Sequence, residues 1–216
     1  MRFADAARRL AHLPHPLPPP PEGLQPGIAA DASGDPSRVR PTWPAPTRES
    51  AVLVLIFPDA TGEARLVLTE RPATVTHHAG EVSFPGGARE AMDDSPEATA
   101  LREAAEEVGL DAAAAGVRIV GRLEEVAIGP SGFRLTPVLA LAEREPLFVP
   151  DAREVAAVLT PPLASFLPGA PISRGELERD GWRLHFGAYE VDGRLVWGAT
   201  ARILGQLGAT VAVEDR

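Results

Sequence analysis

The segment from residue 84 to residue 110, FPGGAREAMDDSPEATALREAAEEVGL, constrains the fold more than any other part of this chain. It predicts a helix over 96–108, and EVSF at 81–84 predicts a short strand just ahead of the glycine pair. Strand patterns occur on both sides of this helix, among them ARLVLTER at 64–71, and WRLHFGAYEVDGRLVWG predicts a hairpin around VDG. The pattern near the C-terminal end predicts a further helix. Together these elements predict the α/β class, with a mixed sheet that carries helices on its faces.

The predicted helix over 96–108 has recognisable signals at both ends. Asp94 or Ser95 can cap its first turn, where the fixed backbone angle of Pro96 is well tolerated. Gly109 is suited to the left-handed conformation that commonly ends a helix.

Three glutamates lie close together within this helix. At about 100° per residue, the apolar positions form one stripe, made of Leu101, Ala104, Ala105 and Val108. The glutamates fall on the opposite side, within one turn of each other, so we expect their carboxylates to converge: Glu103, Glu106 and Glu107. Such a set of hard oxygen ligands suits Mg²⁺ or Mn²⁺, although a solvated acidic helix face is the alternative interpretation.

The glycine pair before the helix favours the metal interpretation. Gly86 and Gly87 allow close backbone approach, and can present a carbonyl oxygen to a metal or an N–H group to a phosphate. A plain tight turn is the alternative for the two glycines alone. The combination of strand, glycine pair, acidic loop and capped acidic helix is more specific than any of its parts.

Composition narrows the range of functions. The chain has 216 residues, of which 44% are hydrophobic, and it contains no cysteine, which excludes disulfides and thiolate metal sites. The net charge of −9 argues against nucleic-acid or anionic-membrane partners. Because the chain has no lysine, phosphate contacts must come from arginine, histidine, backbone N–H groups or a metal. No apolar stretch resembles a signal peptide or a membrane span, so we expect a cytoplasmic protein.

The chain divides into an arm and a domain. Residues 3–13 predict a short helix ended by Pro14, and eleven of the 23 prolines follow between Pro14 and Pro46. We therefore expect residues 1–48 to form a helix and a Pro-rich arm laid over the domain, and residues 49–216 to form the domain itself. Trp182 and Trp197 could stack an adenine, but their strand context favours core packing.

The segment that contains the glutamates resembles the Nudix box, the signature of the Nudix hydrolases. Its most specific part is present in full as REAAEEVGL at 102–110. One departure lies upstream, because Gly87 and Asp94 are separated by six residues where the usual box has five, and Asp replaces the usual Glu. The resemblance implies an α/β/α sandwich with a mixed sheet, preceded here by the short helix and the Pro-rich arm.

An expanded loop of this kind is typical of the coenzyme A diphosphatase branch of the family. The lead-in LTERPATVTHHAGEVSFPGG also resembles the motif of that branch, except that Pro72 stands where Ser is usual and Val75 where Leu is common. The likeness continues downstream and covers about residues 50 to 207. It implies hydrolysis of the pyrophosphate of coenzyme A, or its derivatives, to 3′,5′-ADP and 4′-phosphopantetheine.

The resemblance also assigns roles to individual residues. It implies a Mg²⁺ or Mn²⁺ ion bound by Glu103, Glu106, Glu107 and the Gly87 carbonyl. Arg102 would orient the glutamates, and the base that activates the attacking water would be Glu103 or Glu154. Substrate contacts would come from Arg71, His78, Gly80, Glu81 and Gly86. A surface ion pair is the alternative for Arg71, and a capping or packing role is the alternative for His78.

Two alternatives remain open at the level of sequence. One is a Nudix hydrolase of another substrate, such as ADP-ribose, a dinucleotide or a nucleoside triphosphate, because fold does not fix substrate. The other is a non-catalytic nucleotide-binding module. We expect a small-molecule nucleotide as the partner, and a monomer or a homodimer.

Overall fold

The computed structural model describes residues 1–35, 42–43, 45–73, 80–179 and 181–213. The helices are α1 (Phe3–Leu10), α2 (Pro96–Val108), α3 (Ala112–Ala115) and α4 (Gly198–Ala212). The strands are β1 (Gly27–Asp31), β2 (Arg48–Pro58), β3 (Ala64–Leu66), β4 (Leu68–Glu70), β5 (Val82–Ser83), β6 (Gly86–Ala88), β7 (Val117–Arg122), β8 (Val126–Ile128), β9 (Phe133–Ala142), β10 (Ala157–Leu159), β11 (Ser173–Arg179), β12 (Trp182–Val191) and β13 (Arg194–Trp197). None of the helices in these ranges is both long and apolar enough to cross a bilayer.

The central sheet is mixed, as the sequence predicts. Its strands follow the order β3-β2-β9-β7, with β6 paired to β2 and β8 paired to β9. The pairing of β2 with β9 is parallel, and the other pairings in this sheet are antiparallel. Two smaller sheets, β10-β4-β5 and β1-β12-β11 with β13, complete the fold.

The central sheet is covered on both faces, because alternate side chains of β2 enter two separate apolar clusters. One cluster contains Val52, Val54 and Ile56 together with the buried side of α4. The other contains Ala51, Leu53, Leu55 and Phe57 together with Ala100, Ala104 and Val108 of α2. The predicted α/β/α arrangement is therefore confirmed, and α2 lies against β2 and β6.

The N-terminal segment packs on this domain. Ala6 and Leu10 of α1 are fully buried, and β1 pairs with β12. Gln206 of α4 joins the Pro-rich part to the rest of the fold, since its side chain accepts the Glu124 N–H at 2.9 Å and donates to the Pro18 carbonyl at 3.2 Å. The sequence pattern gave no sign of β1.

Two predicted elements have different bounds in the structure. The helix expected over 3–13 ends at Leu10, before Pro14 is reached. The single strand expected over 64–71 is divided at Val67 into β3 and β4, which belong to different sheets. By contrast, the predicted hairpin at VDG is confirmed, with positive φ angles at Asp192 and Gly193 between β12 and β13.

Candidate active site

Helix α2 begins and ends where the sequence predicts. Ser95 is its N-cap, and the Ser95 hydroxyl accepts the Ala98 N–H at 3.2 Å. Gly109 ends the helix with a φ of 64°. Of the two candidate caps, Ser95 is therefore the one used, and Asp94 is exposed.

The buried face of α2 is rotated relative to the predicted apolar stripe. Ala104 and Val108 are fully buried as expected, but Ala105 is exposed and Leu101 is only half-buried. Glu107 is 6% exposed and shares the buried side of the helix. The prediction that Glu107 lies opposite the apolar stripe is wrong, because α2 packs on β2 and β6 and turns this carboxylate towards the Gly86 N–H of β6.

The glycine pair forms strand β6, which runs antiparallel to β2, and not the turn considered above. A Cβ atom on Gly86 would lie 2.4 Å from the Ala51 carbonyl oxygen. A Cβ on Gly87 would lie 2.5 Å from the carboxylate carbon of Glu103. Glycine is therefore required at Gly86, where the clash is with backbone, whereas a side chain at position 87 would displace the Glu103 carboxylate.

Glu103 and Glu107 form a pair of poorly compensated carboxylates beside this strand. Glu107 accepts the Gly86 N–H at 3.2 Å, yet burial raises its pKa to about 7, and the charges of Glu103 and Glu154 act in the same direction. Burial also raises the pKa of Glu103, against the hydrogen bond it receives from Arg102. Desolvation disfavours the ionised form of both groups, and their mutual repulsion adds to it.

Arg102 donates hydrogen bonds to three acidic side chains, those of Asp93, Glu103 and Glu106. It binds Asp93 with two parallel hydrogen bonds, from Nε to Oδ1 at 3.1 Å and from Nη2 to Oδ2 at 2.9 Å. Its Nη1 donates to Glu103 and to Glu106, each at 3.0 Å, and Nη2 also reaches the Ala88 carbonyl at 3.1 Å. These contacts agree with the expected orienting role, because a guanidinium presents its donors in a fixed fork.

Sequence reasoning missed Asp93, which is the buried acid of the preceding loop. In addition to Arg102, it accepts the Glu90 N–H at 2.9 Å and the Thr99 hydroxyl at 3.0 Å. The Arg102 hydrogen bonds, above all, keep the pKa of Asp93 well below its usual range. Five residues separate Gly87 from Asp93, the spacing of the usual box. That spacing was a signal that could have singled out Asp93 over the exposed Asp94.

The three glutamates do not converge as a trio. The side chain of Glu106 is 57% exposed and turns to Arg102, whereas Glu103 and Glu107 turn to β6. Throughout the described ranges, no three His, Asp or Glu side chains come close enough to enclose a metal ion. The expected convergence is thus limited to Glu103 and Glu107.

The chemistry of this donor set nevertheless fits a divalent cation. Two adjacent carboxylates with raised pKa values are charges that a cation would stabilise. Mg²⁺ is usually held by only one or two carboxylates, with water and substrate phosphate as further ligands. Glu106 is exposed and would join them by giving up its hydrogen bond to Arg102.

Of the residues predicted to contact the substrate, Arg71, Gly80 and Glu81 lie around the end of β4. Arg71 directly follows β4 and is close enough to Glu107 for its charge to lower the pKa of that carboxyl. Backbone hydrogen bonds from Arg71 N to Glu81 O at 3.0 Å and from Gly80 N to Arg71 O at 3.1 Å place Gly80 and Glu81 beside it. His78 lies outside the described residues.

Glu154 is brought to the site by a loop that follows β9. The Asp151 N–H donates to the Glu107 carbonyl at 2.9 Å, and the Val149 N–H to the Val108 carbonyl at 2.8 Å, so the loop is tied to the end of α2. Glu154 itself is exposed, and its charge acts on both Glu103 and Glu107. It remains a candidate base alongside Glu103.

Comparison with known proteins is consistent with this geometry. The model of the NUDIX domain family matches residues 47–175. The chain is 35% identical over 188 residues to Nudix hydrolase 15, mitochondrial, of Arabidopsis thaliana, a match that covers 84% of this chain and 62% of that protein. It is 34% identical over 171 residues to the uncharacterized Nudix hydrolase NudL of Yersinia pestis (strain Pestoides F), covering 78% and 82% respectively.

A solved structure with a similar fold is that of a Nudix hydrolase from M. smegmatis, RenU. It has a TM-score of 0.47 and 28% identity, over 57% of this chain and 81% of that one. The chain belongs to the NUDIX domain family. It spans about three fifths of the length of the Arabidopsis relative.

Proposed function

We propose that this protein is a Mg²⁺- or Mn²⁺-dependent diphosphatase that cleaves the pyrophosphate of coenzyme A or its derivatives. The observation that carries the hydrolase assignment is the pair Glu103–Glu107 beside β6, with its raised pKa values. Two features of the sequence support coenzyme A as the substrate. One is the lead-in motif from Leu68 to Gly87, and the other is the expanded loop between Gly87 and Arg102. The products would be 3′,5′-ADP and 4′-phosphopantetheine, or its acyl form.

The residues of the chain prepare the site for this reaction. Glu103 and Glu107, joined by Glu106 and the Gly87 carbonyl, would hold the ion. When bound, the ion would neutralise charge on the phosphoryl oxygens and make a water easier to deprotonate. Arg102 fixes the direction of Glu103, and the exposed guanidinium of Arg71 provides a phosphate contact near Glu107.

The base would be Glu103 or Glu154, since both lie within the electrostatic reach of Glu107. Glu103→Gln and Glu154→Gln variants separate them, because loss of the base lowers kcat far more than it raises KM. Glu145, an exposed residue outside the site, supplies the matched Glu145→Gln control. If both site variants keep full activity, neither residue is the base.

The substrate assignment is tested by a panel of coenzyme A, ADP-ribose, a dinucleotide and ATP with Mg²⁺ or Mn²⁺. We expect the highest kcat/KM for coenzyme A, with 3′,5′-ADP identified among the products. A higher kcat/KM for ADP-ribose would favour the other hydrolase assignment instead. Absence of turnover on the whole panel would favour a nucleotide-binding module.

A further inference from the structure

The ion pair between Glu70 and Arg194 lies one residue from the predicted substrate contact Arg71. Arg194 Nε donates to the Glu70 carboxylate at 2.8 Å, and Arg194 Nη1 donates to the Asp192 carbonyl at 3.0 Å. The side chains of Arg194 and Glu70 are 33% and 22% exposed, so the pair is partly withdrawn from water. An exposed ion pair contributes little, because ordering two long side chains costs entropy. Here the second hydrogen bond helps to order Arg194.

Arg194 is attached to a well-packed part of the fold. It is the first residue of β13, which pairs with β12 and continues directly into α4. Val196, two residues further along the same face of β13, is fully buried in the apolar cluster that includes α4. The Arg194 guanidinium therefore ties Glu70 to the α4 side of the domain.

Glu70 lies in the central strand of the small sheet β10-β4-β5, and both neighbouring strands lead to the candidate active site. On the β10 side, the Glu70 carbonyl accepts the Ala156 N–H at 2.8 Å, two residues after Glu154. On the other side, β5 ends three residues before Gly86, whose N–H donates to Glu107. A side chain that fixes Glu70 therefore fixes the strand between these two segments.

The Arg71 side chain depends on its backbone for its direction. Among the described residues, none forms a hydrogen bond or an ion pair with its guanidinium. Its backbone is held by the bonds to Glu81 and Gly80 given above. Successive side chains of an extended chain point to opposite faces. Glu70 turns to Arg194, so Arg71 turns to the side of α2, where its charge reaches Glu107.

We propose that Arg194 is a positioning residue, which acts through Glu70 to hold Arg71 in the direction that contacts a phosphate group of the substrate. This inference rests on the proposed function and deepens it, since it gives a residue outside the motifs a part in the same site. Without Arg194, the Glu70 carboxylate lacks its counter-charge and the end of β4 is held less firmly. Arg71 then meets the phosphate with poorer geometry.

The test is a double-mutant cycle on coenzyme A hydrolysis with wild type, Arg194→Met, Arg71→Met and the double variant. We expect Arg194→Met to lower kcat/KM by about 10-fold, mainly through KM, as for a small displacement of a binding group. In the Arg71→Met background, the same change should lower kcat/KM by less than about twofold, because the residue through which Arg194 acts is already absent. Arg194→Lys keeps the charge opposite Glu70 and should recover part of the loss.

Arg65→Met is the matched control. Arg65 donates from Nε to Asp59 at 3.0 Å and its side chain is 30% exposed, but it lies in the β2–β3 hairpin, which contains none of the predicted site residues. This variant should have a lower Tm, with kcat/KM within about twofold of wild type. If Arg194→Met behaves in the same way, its role is in stability alone and the proposal is overturned. Equal losses from Arg194→Met with and without Arg71 would also overturn it.

A second arm uses α,β-methylene-ADP with Mg²⁺, because its P–C–P bridge resists hydrolysis and binding is measured without turnover. Isothermal titration calorimetry should show weaker binding to Arg194→Met and to Arg71→Met than to wild type, with no further loss in the double variant. If wild type turns over no member of the substrate panel, the proposed function fails, and these titrations alone decide on Arg194. Equal results for wild type and Arg194→Met, including no binding by either, would overturn the positioning role.

Discussion

Asp93 and Glu107 are two buried carboxylates on either side of Arg102 in sequence, and they have opposite environments. Asp93 accepts hydrogen bonds from Arg102, Thr99 and the Glu90 N–H. Glu107 accepts one, from the Gly86 N–H. The pKa of Asp93 is accordingly lowered, mainly by Arg102, while burial raises the pKa of Glu107 to about 7.

The difference separates a structural acid from one that is prepared for a ligand. Asp93 is fully compensated within the protein, so it fixes Arg102 and needs nothing from solution. Glu107 is poorly compensated, so the folded protein gains when a cation or a proton joins it. Burial alone does not identify a site carboxylate, whereas burial without sufficient donors does.

Removing the charge of Glu107 should have the largest effect on activity. Glu107→Gln keeps the shape and can still accept from the Gly86 N–H, but it lacks the charge that would hold the ion. We expect kcat/KM for coenzyme A to fall by about 100- to 1,000-fold, the size seen when one electrostatic contact to a reacting group is lost. Unchanged turnover, with a native far-UV circular dichroism spectrum, would show that the carboxylate is only structural.

Asp93→Asn should affect folding and activity together. It removes the charge that pairs with the Arg102 fork, so Arg102 and through it Glu103 lose their fixed direction. We expect at least a tenfold loss of kcat/KM, as for a small displacement of catalytic groups, and a clear decrease in Tm. The neighbouring Asp94→Asn is the matched control, since Asp94 is exposed and should tolerate the change. Equal effects at the two positions would contradict the assignment of Asp93.

The metal-free protein should lose stability as pH rises from about 4.5 to about 7. The folded-state pKa of Glu107 lies above its usual 4.5, so the folded state binds the proton more tightly than the unfolded state in this window. The loss amounts to about 3 kcal/mol in the free energy of unfolding. Urea denaturation in the presence of a chelator measures it. Glu107→Gln should show a much smaller dependence on pH, with the remainder due to Glu103, whose pKa is also raised.

The parts of the fold that sequence predicts well are those fixed by local chemistry. Ser95 and Gly109 define the ends of α2 through their own hydrogen bonding and backbone angles. The turn at Asp192–Gly193 is likewise encoded by residues that tolerate positive φ angles. These elements need no knowledge of what packs around them.

The parts that sequence did not predict depend on contacts between distant segments. Val67 continues an apolar run, yet the chain changes sheet there, because β3 pairs with β2 and β4 pairs with β10 and β5. The burial of Glu107 follows from the packing of α2 on β2 and β6, which no helical periodicity shows. Asp93 and Asp94 are adjacent, and only the folded loop shows which of them meets Arg102.

The most direct test of the metal centre is the Tm of the protein at pH 8 during titration with Mn²⁺ or Mg²⁺. Glu107 is ionised there, so the difference in charge at position 107 between wild type and Glu107→Gln is at its largest. We expect the ion to raise the Tm of wild type progressively, by mass action, and to raise that of Glu107→Gln far less. Equal increases in the two proteins would contradict the assignment of this carboxylate to the metal site.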